Sequence, residues 1–124
     1  LLNKEKKFKE IPSEEKALLV AEWLYEKQGE NIVIMDVTGL SSVTDMTVIV
    51  SARGVKHAKA LADFIIDKVA EDNVEFLSIE GHKTGEWVLV DLNDVLVHVF
   101  LEELREFYNI EGMWSEARRV KFDA

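Results

Sequence analysis

The sequence predicts one α/β domain, in which a mixed five-stranded sheet carries flanking helices in the order α-β-β-α-β-β-β-α. Three observations predict it. The chain has 124 residues, room for one domain of ordinary size and hardly for two. Its apolar residues recur at helical spacing in some stretches and in β-branched or alternating runs in others. It has no repeat, no low-complexity tract and no internal linker. The expected layout is a loosely held arm at 1–12, a folded domain at 13–118 and a short tail at 119–124.

The elements follow in order. Residues 1–12 mix charges with little periodicity and end at the only proline, Pro12. Ser13 then reads as an N-cap, with Glu14 and Glu15 in the first turn and Lys16 where a capping box would place an acid. A broad apolar stripe from Leu18 to Tyr25 carries this helix over 13–28, until Gly29 stops it. The run from Ile32 to Val37 is a buried strand bounded by Asn31 and Gly39. A linker leads to a second strand at 46–50. From Val55, the positions Ala58, Leu61, Ala62, Ile65, Ile66 and Val69 mark an amphipathic helix to about residue 71. A short strand at 76–79 precedes the pair 86–90 and 95–100, whose connection reads as a hairpin. A helical piece at 101–108 leads into a tail without sharp period.

Composition narrows the function classes. With 48% apolar and 31% charged residues the chain is a soluble globular type. Cysteine is absent, which removes disulfides, thiolate zinc sites and cysteine nucleophiles. Against 24 acidic residues stand 15 basic ones, a net charge of −9. Such a surface repels phosphate backbones and anionic lipid over most of its area, so neither direct sequence-specific nucleic-acid binding nor membrane binding is expected. A partner on a nucleoprotein machine would be a basic protein. No apolar run approaches the ~20 residues of a membrane span. The N-terminus lacks the apolar core of a secretory signal, so a cytoplasmic location is the expectation.

The hairpin carries the most information. Pairing Val90 with Val95 sets Val88 against Val97, Leu89 against Leu96 and Trp87 against His98. One face of the pair then carries Val88, Val90, Val95, Val97 and Val99, suited to packing under helices. The other carries Trp87, Leu89, Leu96, His98 and Phe100. Two long helices suffice for one side of the sheet. The aromatic side is therefore either a protein-binding surface or a second core beneath a terminal helix or the first one. Around it lie Asp91, Asp94, Glu102, Glu103 and Glu106, an acidic rim suited to a lysine- and arginine-rich partner.

Candidate chemistry is thin. Ser41, Ser42 and Asp45 ahead of a strand resemble the nucleotidyltransferase signature, in which two aspartates one residue apart hold the magnesium ions that clamp a transferring phosphate. Here the second position is Thr47, which removes a full negative charge from such a site. Ser42 and Asp45 then read as a turn and cap device, with a nucleotide-binding or nucleotidyltransferase-type domain as the alternative. His57, His82 and His98 form no zinc-binding spacing, no cofactor motif is present, and no enzyme signature is intact.

The strings IVIMDVTGLSSVTDMTVI at 32–49, IEG at 79–81, EWVLVD at 86–91, DVLVHVF at 94–100 and ELREFYNIEGMW at 103–114 together resemble the ribosomal silencing factor family, RsfS or Iojap. The likeness keeps motif order and spacing over about 13–118. It departs at Ser51-Ala-Arg-Gly54, where the family has a Ser-Gly turn, and at Met46-Thr47, where it has an aromatic pair. The resemblance implies a degenerate nucleotidyltransferase fold without its catalytic acids. It also implies a non-enzymatic repressor that binds the large ribosomal subunit through the basic ribosomal protein uL14 and sterically blocks the small subunit. By position, the contact surface falls on Trp87, Leu89, Asp91, Asp94, His98 and Phe100, with Glu80 and Arg105 in support. A homodimer through the same aromatic face in the free state is compatible with that likeness.

Overall fold

The computed structural model describes residues 8–123, so most of the expected N-terminal arm lies outside the described residues. Within it, the Lys9 amide donates to the Asn73 carbonyl at 2.9 Å. Helix α1 (Ser13–Glu26) starts directly after Pro12. Ser13 is its first helical residue, not its cap, and its hydroxyl makes no capping bond. Pro12 takes that position, its carbonyl accepting the Lys16 amide at 2.9 Å. Glu14 and Glu15 face the positive end of the helix dipole.

Strands β1 (Glu30–Asp36) and β2 (Met46–Ala52) pair antiparallel, and helix α2 (Val55–Glu71) follows. Then come β3 (Ser78–Glu80), β4 (Trp87–Asp91), β5 (Val95–Leu101), the short helices α3 (Glu102–Tyr108) and α4 (Ile110–Met113), and β6 (Arg118–Val120). The sheet order is β3-β4-β5-β2-β1-β6, parallel only between β2 and β5. The expected mixed sheet is present, but it has six strands instead of five. Strand β6 hides in a segment that reads as a polar tail because only Val120 is buried while Arg118 and Arg119 stay exposed. It pairs with β1 from Arg118 to Val120, and Arg118 reaches Asp36 at 2.9 Å and Glu14 at 2.7 Å. The sheet thus runs past residue 118, across the expected domain edge.

The hairpin register is the second correction. Val90 pairs with Val97, Leu89 with His98 and Trp87 with Phe100, two residues from the expected alignment. The turn is tighter than the sequence suggests. Leu92 continues the strand direction, donates to Val95 O at 2.9 Å and is fully buried, leaving only Asn93 and Asp94 at the tip. Asn93 takes φ 80°, a left-handed conformation that asparagine tolerates. Because the slip is an even number of residues, every side chain keeps its face and only its cross-strand neighbour changes.

The valine face lies under α1 and α2, with Val88, Val90, Val95, Val97 and Val99 all at 0% exposure. Burying each such side chain contributes about 1.5–3 kcal/mol. The opposite face holds a smaller core of Met35, Val37, Ile49 and Phe100, on which Leu104, Ile110 and Trp114 pack.

Candidate functional site

The second sheet face is divided. Helices α3 and α4 cover its β1–β2 half and the Phe100 end of β5, leaving the β3–β4 side with half-buried Leu89, Asp91 and Leu96 and exposed Glu80. Of the two outcomes the sequence left open, the second core is present over one half, and the other half is accessible to solvent.

At the boundary stands Trp87. Its ring stacks on Phe100 at a centroid separation of 4.7 Å, lies 4.7 Å from Tyr108 and 6.0 Å from His98. Its indole N–H donates to His98 Nδ1 at 3.1 Å. That bond leaves the ring proton of His98 on Nε2. Burial pushes His98 down to about 4, so the imidazole is neutral at physiological pH. Phe100 is fully buried and serves as the floor on which Trp87 lies. A shallow cavity of about 240 Å³ opens among Glu80, Gly81, Trp87 and Leu89. Gly81 is required here: its φ is 80°, and any side chain would run into the Trp87 carbonyl.

The acidic positions differ in their engagement. Asp91 accepts the Asn93 amide at 2.9 Å, shaping the turn. Asp94 pairs with the buried Lys16 ammonium at 2.7 Å, and the same ammonium donates to the Leu92 carbonyl at 2.7 Å. Lys16, which in sequence stands where a capping acid would, thus ties α1 to the β4–β5 turn. Glu80 is exposed at the open half, and Glu103 and Glu106 are exposed on α3.

Arg105 turns inward. At 7% exposure it donates from Nε and Nη2 to the Glu111 carboxylate at 3.0 and 3.2 Å, and from Nη1 to Ser51 Oγ at 2.8 Å. Ser51 in turn donates to Glu102 at 2.5 Å. Arg105 holds Glu111 below the usual carboxylate range. The network fixes α3 and α4 on the sheet, and with them the Tyr108 ring beside Trp87. Tyr108 is the site residue that sequence reasoning misses. Its signal is an aromatic pair, Phe107 and Tyr108, just before Asn109, whose left-handed φ of 48° ends the helix.

The loop resembling a nucleotidyltransferase signature lines a cavity of about 230 Å³ bounded by residues 41–45, Asn93 and Asp94. Ser41, not Ser42, organises it, its Oγ accepting the Val43 and Thr44 amides at 3.1 and 3.4 Å. Asp45 is exposed and Thr47 buried. Among the described residues no three histidines or acids converge in a metal-binding arrangement, and no helix is long and apolar enough to cross a membrane.

Comparison with known proteins decides the family. The profile described as "Ribosomal silencing factor during starvation" matches residues 10–124. This chain belongs to the ribosomal silencing factor family. Bacillus subtilis ribosomal silencing factor RsfS is 37% identical over 98 residues, covering 79% of this chain and 83% of that protein. The crystal structure of a Chromobacterium violaceum protein superposes with a TM-score of 0.82 at 33% identity, covering 92% of this chain and 94% of that one. A more distant mouse relative, 27% identical over 97 residues, covers 74% of this chain and 42% of that protein; it is named mitochondrial assembly of ribosomal large subunit protein 1. The bacterial members of the family are thus named as regulators, not as enzymes.

Proposed function

We propose that this chain represses translation without catalysis, docking on the large ribosomal subunit through the basic protein uL14 and sterically blocking the small subunit. One observation carries the reading: α3 and α4 stop halfway across an apolar sheet face and leave Trp87 and Leu89 open beside the carboxylates of Glu80 and Asp91. An aromatic centre with an acidic rim fits a basic protein surface, and the rim favours rapid, oriented encounter. The family name and the mouse relative's name both point to the ribosome, and the latter to its large subunit. Trp87, Leu89, Asp91 and Glu80 face the partner in this reading. Phe100, Arg105, Asp94 and the buried His98 hold those residues in place, with the edge of the His98 ring at the floor of the surface.

The test is co-sedimentation with isolated large and small subunits. Wild type pellets with the large subunit alone, and Leu89→Arg lowers that binding by about tenfold or more, the effect of an interface hot spot, with an unchanged urea midpoint. Equal binding to both subunits, or unaltered binding of the variant, defeats the docking face.

In the free state the same face closes on a second copy as a weak homodimer. The loop at 41–45 leads to Thr47 where nucleotidyltransferase chemistry needs a second acid, so magnesium and nucleoside triphosphates are expected to leave the melting temperature unchanged. A rise of several degrees would revive the nucleotide-binding alternative at Ser42 and Asp45.

A further inference from the structure

The chain carries a net charge of −9, yet the ten residues 53–62 hold three cations and no acid. They form the loop after β2 and the first two turns of α2. The first acid of the helix, Asp63, is engaged by His82 Nε2 at 2.8 Å. Two contacts fix this end of the molecule. The Arg53 amide donates to His57 Nδ1 at 3.0 Å while His57 Nε2 lies 2.9 Å from the Lys27 carbonyl, so one imidazole joins the end of α1 to the start of α2. Gly85, in the turn that carries Lys83, packs so closely on α2 that an added Cβ would lie 2.7 Å from Val55 Cγ1 and 3.1 Å from Lys59 Cε. Arg53, Lys56 and Lys83 are exposed and Lys59 is half-exposed. Among the described residues none of these four is ion-paired.

The cationic end borders the docking face. The Gly85 amide closes its turn on the Gly81 carbonyl at 3.0 Å, and Gly81 lines the cavity beside Trp87 and Leu89. We propose that Arg53, Lys56, Lys59 and Lys83 hold the phosphate backbone of ribosomal RNA flanking the docking site, an inference that rests on the docking reading. RNA fits better than an acidic protein. The patch offers exposed cations from separate segments, Arg53 among them with Nη1 3.5 Å from the Gln28 carbonyl, and no deep apolar pocket for an anchoring side chain, which suits sequence-independent phosphate binding. The acidic balance still repels nucleic acid elsewhere, so the RNA contact is local and oriented by docking.

Two photo-crosslinking positions on the full chain test it, a benzophenone amino acid at Lys56 in one variant and at Leu89 in the other, each bound to large subunits. The expected result is crosslinking to ribosomal RNA from 56 and to ribosomal protein from 89. Crosslinking to protein alone from 56, or none there while 89 reacts, overturns the RNA contact and leaves the docking reading intact. Silence at both positions, in variants that still co-sediment with the large subunit, overturns the docking reading and the RNA contact with it, and so does the failure of the position-56 variant to co-sediment at all. As a second readout, the combined Lys56→Glu, Lys59→Glu and Lys83→Glu variant should lower the slope of log affinity against log salt by about 2–3, at roughly 0.7–0.9 for each phosphate no longer neutralised. An unchanged slope in a variant that still melts as wild type defeats the proposal.

Discussion

Trp87 and His98 stand in adjacent strands, and each sets the other's state. The indole donates to Nδ1, so the imidazole must be neutral to accept, and burial depresses its pKa from 6.5 to about 4. An unfolded histidine takes up its proton near 6.5. Between that pH and about 4 the unfolded chain therefore binds more protons than the folded one. The stability tied to neutral His98 is complete above about 6.5 and is lost as pH falls towards 4. At ~1.4 kcal/mol per pH unit the loss is about 3 kcal/mol. Urea unfolding of wild type and His98→Phe between pH 7.5 and 4.5 checks this. The wild type should lose about 2–3 kcal/mol more than the variant, because Asp36 and Glu111, both held below their usual range, act at lower pH and equally in both chains. Parallel curves would mean that His98 titrates freely. The same pair makes Trp87→Ala a poor probe of binding alone. It removes a ring stacked on Phe100 and the donor to His98, and is expected to cost about 2 kcal/mol in folding, less than a fully buried tryptophan would. Leu89→Arg keeps the two questions apart.

Helices α3 and α4, seven and four residues long, are too short to stand alone and are held by side chains. Arg105 supplies the hold through Glu111 and Ser51. Arg105→Ala leaves Glu111 and Ser51 without that donor and should cost about 2–3 kcal/mol, the range for hydrogen bonds to charged groups. It should also weaken large-subunit binding by releasing Tyr108 from Trp87, whereas Arg105→Lys should restore part of the stability and little of the bidentate geometry. Full binding by a destabilised Arg105→Ala would separate the two short helices from the docking face. How much of this is legible in the sequence follows from the kind of signal each element carries. Helix α2 and strand β2 are legible because burial imposes a pattern on their residues. Strand β6 is not, since its exposed Arg118 acts through Asp36 and Glu14, 82 and 104 positions away. The inward turn of Arg105 is hidden for the same reason: its Ser51 partner lies 54 residues earlier. The hairpin faces are right while the pairing slips, because alternation reports the face and the turn alone sets the register.

At the scale of the molecule the proposed reading gives one face two partners of opposite charge character, and salt distinguishes them. A symmetric dimer through the open half brings the Glu80 and Asp91 of one copy towards those of the other, around apolar Leu89 and Trp87. With −9 on each chain, long-range repulsion opposes that contact, and shortening the Debye length from about 10 Å at 0.1 M salt to about 4–5 Å at 0.5 M relieves it. The proposed docking on a basic ribosomal protein would use the same carboxylates as attractors, and the proposed phosphate contacts of the cationic end of α2 would add to it, so both should weaken as salt rises. Sedimentation equilibrium of the free chain and subunit co-sedimentation over that salt range should therefore move in opposite directions. Self-association is expected to strengthen severalfold while large-subunit binding falls by about tenfold or more. Leu89→Arg should lower both, since it removes an apolar contact common to the two interfaces. If both associations weaken together with salt, the dimer contact is an oppositely charged one elsewhere on the surface. If the variant abolishes subunit binding but leaves the dimer intact, the two partners use different faces and do not compete.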